Sequence, residues 1–133
     1  MMRATAITRV VAIGAFAAVI AACGGGGDSE ATYVEPKGPA TETIKIDSGN
    51  VFFKPNDIKA SPGIAKVDLK NIESGTHDLV IQGLPGFQLE VSGEGSTAAS
   101  KLKLNAGKKY DFYCTIPGHK EAGMKGTITV PKS

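Results

Sequence analysis

The sequence has few of the side chains that bind transition metals. Its 133 residues include only 2 His, 2 Cys and 3 Met. Two of the methionines begin the chain, and one cysteine, Cys23, ends an apolar N-terminal segment. Cys114 has no other cysteine after that segment, which excludes an intramolecular disulfide in the mature chain. The metal-binding side chains that remain are His77, Cys114, His119 and Met124.

Arginine is almost absent too. Arg3 and Arg9 are the only two, so the 15 basic residues leave 13 lysines against 13 acidic residues once the N-terminal segment is removed. The lysines are spread along the chain and do not form a basic stripe, which argues against nucleic acid as a partner. We expect a neutral monomer.

The N-terminal segment has the pattern of a secretory signal. Arg3 and Arg9 precede an uncharged apolar stretch, residues 10–22, which is too short for a stable transmembrane helix. The stretch Ile20-Ala21-Ala22-Cys23 resembles the bacterial lipobox, so we predict a lipoprotein signal peptide at residues 1–22 and lipid on Cys23. The alternative is an ordinary signal peptide followed by a free cysteine.

Residues 23–41 are rich in Gly, Pro and acidic side chains and have little apolar surface to bury. This composition predicts a flexible tether. The protein is therefore expected outside the cytoplasm, in the periplasm or at the cell surface, with a lipid anchor in the membrane.

From residue 42 to 133 the pattern changes to short alternating runs separated by turn residues. Ala65, Val67 and Leu69, for example, alternate with charged side chains. This pattern predicts one all-β domain, a Greek-key β-sandwich of about seven to eight strands. Residues 96–100 are predicted to form one helical turn.

The metal-binding residues near the C-terminus are regularly spaced. Cys114, His119 and Met124 follow one another as C-x4-H-x4-M, and Tyr110 and Phe112 lead into the cysteine on one face of a predicted strand. Soft sulfur donors with imidazole select copper over magnesium, calcium or manganese. A second imidazole, from His77, would use every histidine, free thiol and thioether of the mature chain.

These residues resemble the copper segments of the cupredoxins, the small blue copper proteins. Residues 114–119, CTIPGH, are similar to the azurin and auracyanin loop, and residues 110–114, YDFYC, are similar to the strand that precedes it in plastocyanins. Residues 71–79, NIESGTHDL, resemble the segment with the family's first ligand histidine. The resemblance implies a cupredoxin-like fold and one type 1 copper with four ligands, His77, Cys114, His119 and Met124.

Two imidazoles, a thiolate and a thioether leave the metal no open position for a substrate, which favours an electron carrier over an enzyme. The expected partners are redox proteins of a membrane electron-transport chain. The alternative is a copper-storage or copper-delivery lipoprotein, although such proteins are expected to carry exposed clusters of Met and His. A two-copper oxidase subunit is disfavoured because it needs two cysteines in the ligand loop.

Residues around the predicted ligands are candidates for supporting roles. Asp78 is expected to link loops by hydrogen bonds or else to be an exposed carboxylate. Tyr113 resembles the plastocyanin tyrosine near which partners dock, although an ordinary solvated tyrosine fits as well. We expect an apolar docking surface, or else plain loop packing, around the half-outward His119, made of Ile116, Pro117 and Ala122, with Leu84, Pro85 and Phe87 at the same end.

Overall fold

The structure is a computed structural model that describes residues 32–133. The predicted signal peptide and the lipid attachment at Cys23 therefore lie outside the described residues. Within them, no helix is long and apolar enough to cross a membrane. The strands, in chain order, are β1 (Glu42–Gly49), β2 (Phe52–Lys54), β3 (Asp57–Lys59), β4 (Gly63–Asn71), β5 (Thr76–Ile81), β6 (Gln88–Ser92), β7 (Thr97–Leu104), β8 (Lys109–Tyr113) and β9 (Lys125–Thr129).

The strands form two sheets, with the orders β2-β1-β4-β7 and β3-β9-β8-β5-β6. The β1–β4 and β3–β9 pairs are parallel, and the other pairs are antiparallel. The predicted all-β sandwich is confirmed. The described residues form nine strands, not seven to eight, because the chain between β1 and β4 makes two three-residue strands that join different sheets.

Alternating side chains fill the space between the two sheets. In β4, Ala65, Val67 and Leu69 are buried, as their alternation with polar residues predicts. In β8, Tyr110 and Phe112 are buried in the same way, and the next residue on that face is Cys114. Each large apolar side chain buried here contributes about 1.5–3 kcal/mol. The core therefore extends without a break to the cysteine.

The helical turn predicted for residues 96–100 is wrong. This segment begins β7, which pairs with β4 from Lys70↔Thr97 to Gly63↔Leu104. Pairing with β4 satisfies the backbone groups of this segment that face β4, the one strand next to it in the sheet. Tertiary pairing of this kind outweighs the weak local preference of a Ser, Thr and Ala sequence.

The last part of the predicted tether contacts the domain. The hydroxyl of Tyr33 donates a 2.5 Å hydrogen bond to the Lys101 carbonyl, and its ring meets that of Phe87 edge to face at 5.1 Å. Glu35 accepts a 2.6 Å hydrogen bond from the Lys101 backbone N–H. Packed structure thus begins before residue 42, along the edge strand β7.

Candidate metal centre

The ligand loop, residues 114–124, connects β8 to β9 and is closed by its own backbone hydrogen bonds. The His119 N–H donates to the Ile116 carbonyl at 3.0 Å, and Gly118 has a φ of 84°, which a glycine adopts without strain. Met124 N–H donates to the His119 carbonyl at 2.9 Å, and Cys114 N–H donates to the Met124 carbonyl at 3.1 Å. These bonds bring the three predicted ligands of the loop together.

The fourth predicted ligand comes from β5, the strand next to β8 in the same sheet. His77 lies near the start of β5, where it pairs with Val91 of β6, and it is 2% exposed. Leu79 and Ile81 follow it on the same buried face. The predicted burial of His77 is confirmed, and His119 is only half-buried, as expected for a loop residue.

The two sides of the site, which are the ligand loop and the segment around His77 on β5, meet in a compact cluster. One donor atom from each of His77, Cys114 and His119 lies within 4.8 Å of the others. Cys114 Sγ is 3.6 Å from His119 Nδ1, and the two imidazole centroids are 5.2 Å apart. Met124 is fully buried, and its backbone is hydrogen-bonded to the backbones of Cys114 and His119. The four predicted ligands are thus gathered at one end of the sandwich.

A ring nitrogen of His77 without a hydrogen-bond partner indicates whether this cluster fits a metal. His77 Nδ1 is buried and has no hydrogen-bond partner within the described residues. A buried polar atom without a partner costs about 1–3 kcal/mol, so its position needs a reason. A metal ion shared with the neighbouring sulfur and imidazole would supply that partner. The donor set, two imidazoles with a thiol and a thioether, fits copper.

Burial raises the pKa of the Cys114 thiol, and the nearby Asp78 carboxylate raises it further. Hydrogen bonds from the backbone N–H groups of Asp78 and Ile116 act in the opposite direction but do not cancel the rise. A metal cation would reverse the balance, because a thiol that coordinates a metal loses its proton and binds as the thiolate. The metal-free cysteine is therefore held mainly as a thiol.

Asp78 links the two sides of the site. Its carboxylate is buried and accepts a 2.6 Å hydrogen bond from the Thr115 N–H, a second from the Thr115 hydroxyl, and a 2.8 Å hydrogen bond from Gln88 Nε2. Burial raises the pKa of Asp78, but these hydrogen bonds outweigh it, so its pKa lies below the ordinary value. Of the two predictions for Asp78, the hydrogen-bonded link is the correct one.

Two residues near His77, Glu73 and Asn71, have roles that were not predicted from the sequence. Glu73 Oε1 lies 2.5 Å from His77 Nε2. The buried Asn71 donates from Nδ2 to the Gly75 carbonyl at 2.7 Å and to the Gly93 carbonyl at 3.1 Å. A signal was present, because an Asn and a Glu precede a Gly and the ligand histidine within seven residues. The side-chain partners themselves depend on the tertiary fold.

The predicted docking surface combines residues of the ligand loop with three residues between β5 and β6, namely Leu84, Pro85 and Phe87. Pro117 and Ala122 are exposed and Ile116 is half-buried, all on the ligand loop. The expectation that Phe87 contributes to an exposed surface is wrong, because it is buried under Tyr33. Leu84 and Pro85 line a groove together with Tyr113 and Thr115, and Phe87, although only 2% exposed, also borders this groove.

Comparisons with known proteins agree with this geometry. Residues 40–131 match the family of copper binding proteins described as plastocyanin/azurin. A plastocyanin of Dryopteris crassirhizoma is 37% identical over 96 residues, which cover 70% of this chain and 76% of that protein.

Among solved structures, reduced auracyanin from Roseiflexus castenholzii is 26% identical, with a TM-score of 0.59, over 69% of this chain and 98% of that one. Auracyanin A from Chloroflexus aurantiacus is 20% identical with a TM-score of 0.55, over 66% and 97% of the two chains. This second likeness concerns the fold alone.

The fold and the cluster define a small blue copper protein. The chain belongs to the plastocyanin/azurin family of copper-binding proteins, the cupredoxins. Its four donors are arranged for one type 1 copper, as the sequence predicted.

Proposed function

We propose that this protein is a blue-copper electron carrier, tethered to a membrane outside the cytoplasm, that moves single electrons between redox proteins. The observation that supports it most is His77, which has a donor atom within 4.8 Å of donor atoms of Cys114 and His119 and whose buried Nδ1 has no hydrogen-bond partner within the described residues. Copper bound there supplies one-electron chemistry, cycling between Cu(II) and Cu(I).

The chain's own residues keep the site ready for that chemistry. His77 is fixed by β5, and Cys114, His119 and Met124 are fixed by the hydrogen bonds of the ligand loop. Donors that are already in place need little rearrangement when the metal changes oxidation state, which favours fast electron transfer. With four donors from the protein, the site offers no position for a substrate, and this supports a carrier over an enzyme.

The test of the copper site is optical. The full chain titrated with Cu(II) should develop an intense thiolate-to-copper band that saturates at one copper per chain and disappears reversibly on reduction. A Cys114→Ser variant should bind without that band. A colourless wild-type protein would refute the proposal, and uptake of several Cu(I) ions without colour would favour copper storage or delivery instead.

The route of the electron is proposed to pass through His119. His119 is half-buried, whereas His77 is enclosed, and the exposed Pro117 and Ala122 precede and follow His119 on the ligand loop. A small apolar surface suits a redox partner, because weak encounters bury little area and separate quickly. Ala122→Glu should slow electron exchange with partners and leave the copper band unchanged.

Tyr113 is the second candidate for the electron's exit. It follows Phe112 directly before the ligand Cys114, and the Lys120 ammonium lies 4.0 Å from its ring centroid. If Ala122→Glu leaves exchange unaltered with several partners while Lys120→Glu slows it, the exit lies at Tyr113. The opposite pattern supports the His119 route.

Membrane attachment is proposed to depend on Cys23. Two or more acyl chains hold a protein firmly, at about 0.8 kcal/mol per buried methylene. A Cys23→Ala chain should therefore leave the membrane fraction and keep its copper band. If it still fractionates with membranes, the lipid anchor is refuted while the copper proposal stands.

A further inference from the structure

The hydrogen bond between Glu73 and His77 uses the ring nitrogen Nε2, whereas the other ring nitrogen, Nδ1, has no partner within the described residues. Glu73 Oε1 is 2.5 Å from His77 Nε2, and the side chains are 30% and 3% exposed respectively. An ionised carboxylate only accepts hydrogen bonds, so Nε2 must donate. In a neutral imidazole the lone pair is then on Nδ1, the unpartnered atom of the metal centre.

A glycine makes room for this contact. A Cβ atom added to Gly75 would lie 2.9 Å from Glu73 Oε1 and 3.3 Å from His77 Nε2. Gly75 is not among the residues with positive φ. The reason for a glycine at this position is therefore space. The carboxylate and the ring nitrogen occupy the volume where a side chain would otherwise be.

The short segment that carries Glu73 is also anchored at both sides. Asn71 Nδ2 holds the Gly75 carbonyl, and the Gly93 N–H donates to the same carbonyl at 3.1 Å. At the other side the Ile72 N–H donates to the Ser48 carbonyl at 2.9 Å. Because these bonds fix the backbone before and after Glu73, the carboxylate is directed at His77 before any metal binds.

We propose that Glu73 is a positioning residue that lowers the reduction potential of the copper centre. Its hydrogen bond fixes the ring of His77 with Nδ1 toward the cluster. Its negative charge stabilises a doubly charged metal more than a singly charged one, and a carboxylate paired with a ligand histidine makes that histidine a stronger donor. This inference rests on the proposed copper function.

Three variants of the full chain separate charge from hydrogen bonding. Glu73→Gln keeps an acceptor beside His77 and removes the charge, whereas Glu73→Ala removes both. Glu94→Gln is the matched control, since it removes the same charge from an exposed carboxylate in the neighbouring turn between β6 and β7. All three should retain the fold, because neither Glu73 nor Glu94 is in the buried core.

The readouts are the reduction potential and the affinity for added Cu(II). Removal of an outer partner of a ligand histidine weakens metal binding by about 10–100-fold. We expect Glu73→Gln to lose about tenfold in Cu(II) affinity relative to Cu(I), which equals a potential about 59 mV higher for one electron. Glu73→Ala should raise the potential at least as much and weaken Cu(II) binding further.

The outcomes distinguish this inference from the function on which it rests. If the wild-type chain forms the blue band and Glu73→Gln has the potential of Glu94→Gln, the role of Glu73 is refuted and the copper carrier stands. If the wild-type chain forms no blue band with Cu(II), the proposed function fails. If Glu73→Gln raises the reduction potential and Glu94→Gln does not, the inference is supported.

Discussion

The two sides of the copper site are built in different ways. The ligand loop is closed by short-range backbone bonds, such as Met124 N–H to the His119 carbonyl at 2.9 Å. The His77 side depends on long-range side-chain hydrogen bonds, from Asn71 to the Gly93 carbonyl and from Ser48 to Asn71, besides the short-range bond from Asn71 to the Gly75 carbonyl. One half of the centre is therefore a local structure, and the other exists only in the folded sandwich.

The two sides also differ in the role that we expect each to have. The loop histidine, His119, is half-buried and borders exposed loop residues. The strand histidine, His77, is enclosed and has a carboxylate on its outer nitrogen. Electron exchange is thus expected on the loop side, and control of the potential on the strand side.

The largest effect is expected from breaking the long-range side. Asn71→Ala removes two donors and an acceptor from a fully buried position, leaving carbonyls and the Ser48 hydroxyl with fewer partners. The free energy of unfolding should fall by about 2–4 kcal/mol. Urea unfolding of the metal-free chain measures this, with the exposed Asn105→Ala as control, which should change it by less than about 0.5 kcal/mol. Equal losses of unfolding free energy in the two variants would show that the hydrogen bonds of Asn71 do not hold the His77 side.

A smaller effect is expected from cutting the link between the two sides. Thr115→Val removes the hydroxyl that donates to the Asp78 carboxylate and keeps the shape of the side chain. Hydrogen bonds to charged groups contribute about 1.5–3 kcal/mol, so a loss of about 2 kcal/mol is expected. A double-mutant cycle with Asp78→Asn should show strong coupling. Additive effects would mean that the link is absent in solution.

Acid should weaken the same link. The pKa of Asp78 in the folded chain is below its ordinary value of about 3.9, so its contribution to stability is present above that pH. The contribution should be lost as the pH falls through the lower, folded-state pKa. Between about pH 5 and 2, the free energy of unfolding of the metal-free chain should therefore fall less steeply with decreasing pH in Asp78→Asn than in wild type. Identical pH profiles would refute this.

Two glycines sharpen the comparison further. Gly118→Ala places a Cβ in open space but at a φ of 84°, so it should cost about 1–2 kcal/mol through backbone strain and leave the reduction potential unchanged. Gly75→Ala instead crowds the Glu73–His77 contact and should shift the potential. Voltammetry with denaturant unfolding on both variants tests this, and a potential shifted equally in both would contradict it.

The smallest effect is expected at the ligand loop's surface. Lys120→Gln removes the ammonium above the Tyr113 ring, a contact at 4.0 Å. An exposed cation–π pair contributes about 0.5–1 kcal/mol. Thermal unfolding of Lys120→Gln should show a loss of that size and no change in the copper band, with Lys125→Gln as the control. A change in the band would mean that Lys120 affects the centre directly.

The same division explains how much the sequence predicted. The ligands of the loop were found from spacing, because Cys114, His119 and Met124 are close in the chain and their turn residues are visible. The sandwich followed from the alternation of residues such as Val67 and Leu69. The role of Glu73 was missed although His77 is only four residues away, because distant residues, Ser48 and Gly93, fix the backbone around it. The first part of β7, residues 97–100, was missed because its pairing partner, β4, is far away in the sequence. The packing of Tyr33 was missed for the same reason.

The most direct test of the account is a crystal structure of the copper-loaded chain with anomalous scattering recorded at the copper edge. We predict one copper peak bound by His77 Nδ1, Cys114 and His119 Nδ1, with Met124 beside it and the Glu73 carboxylate still on His77 Nε2. A copper peak elsewhere, or His77 turned so that Nδ1 faces away from the metal, would contradict the account.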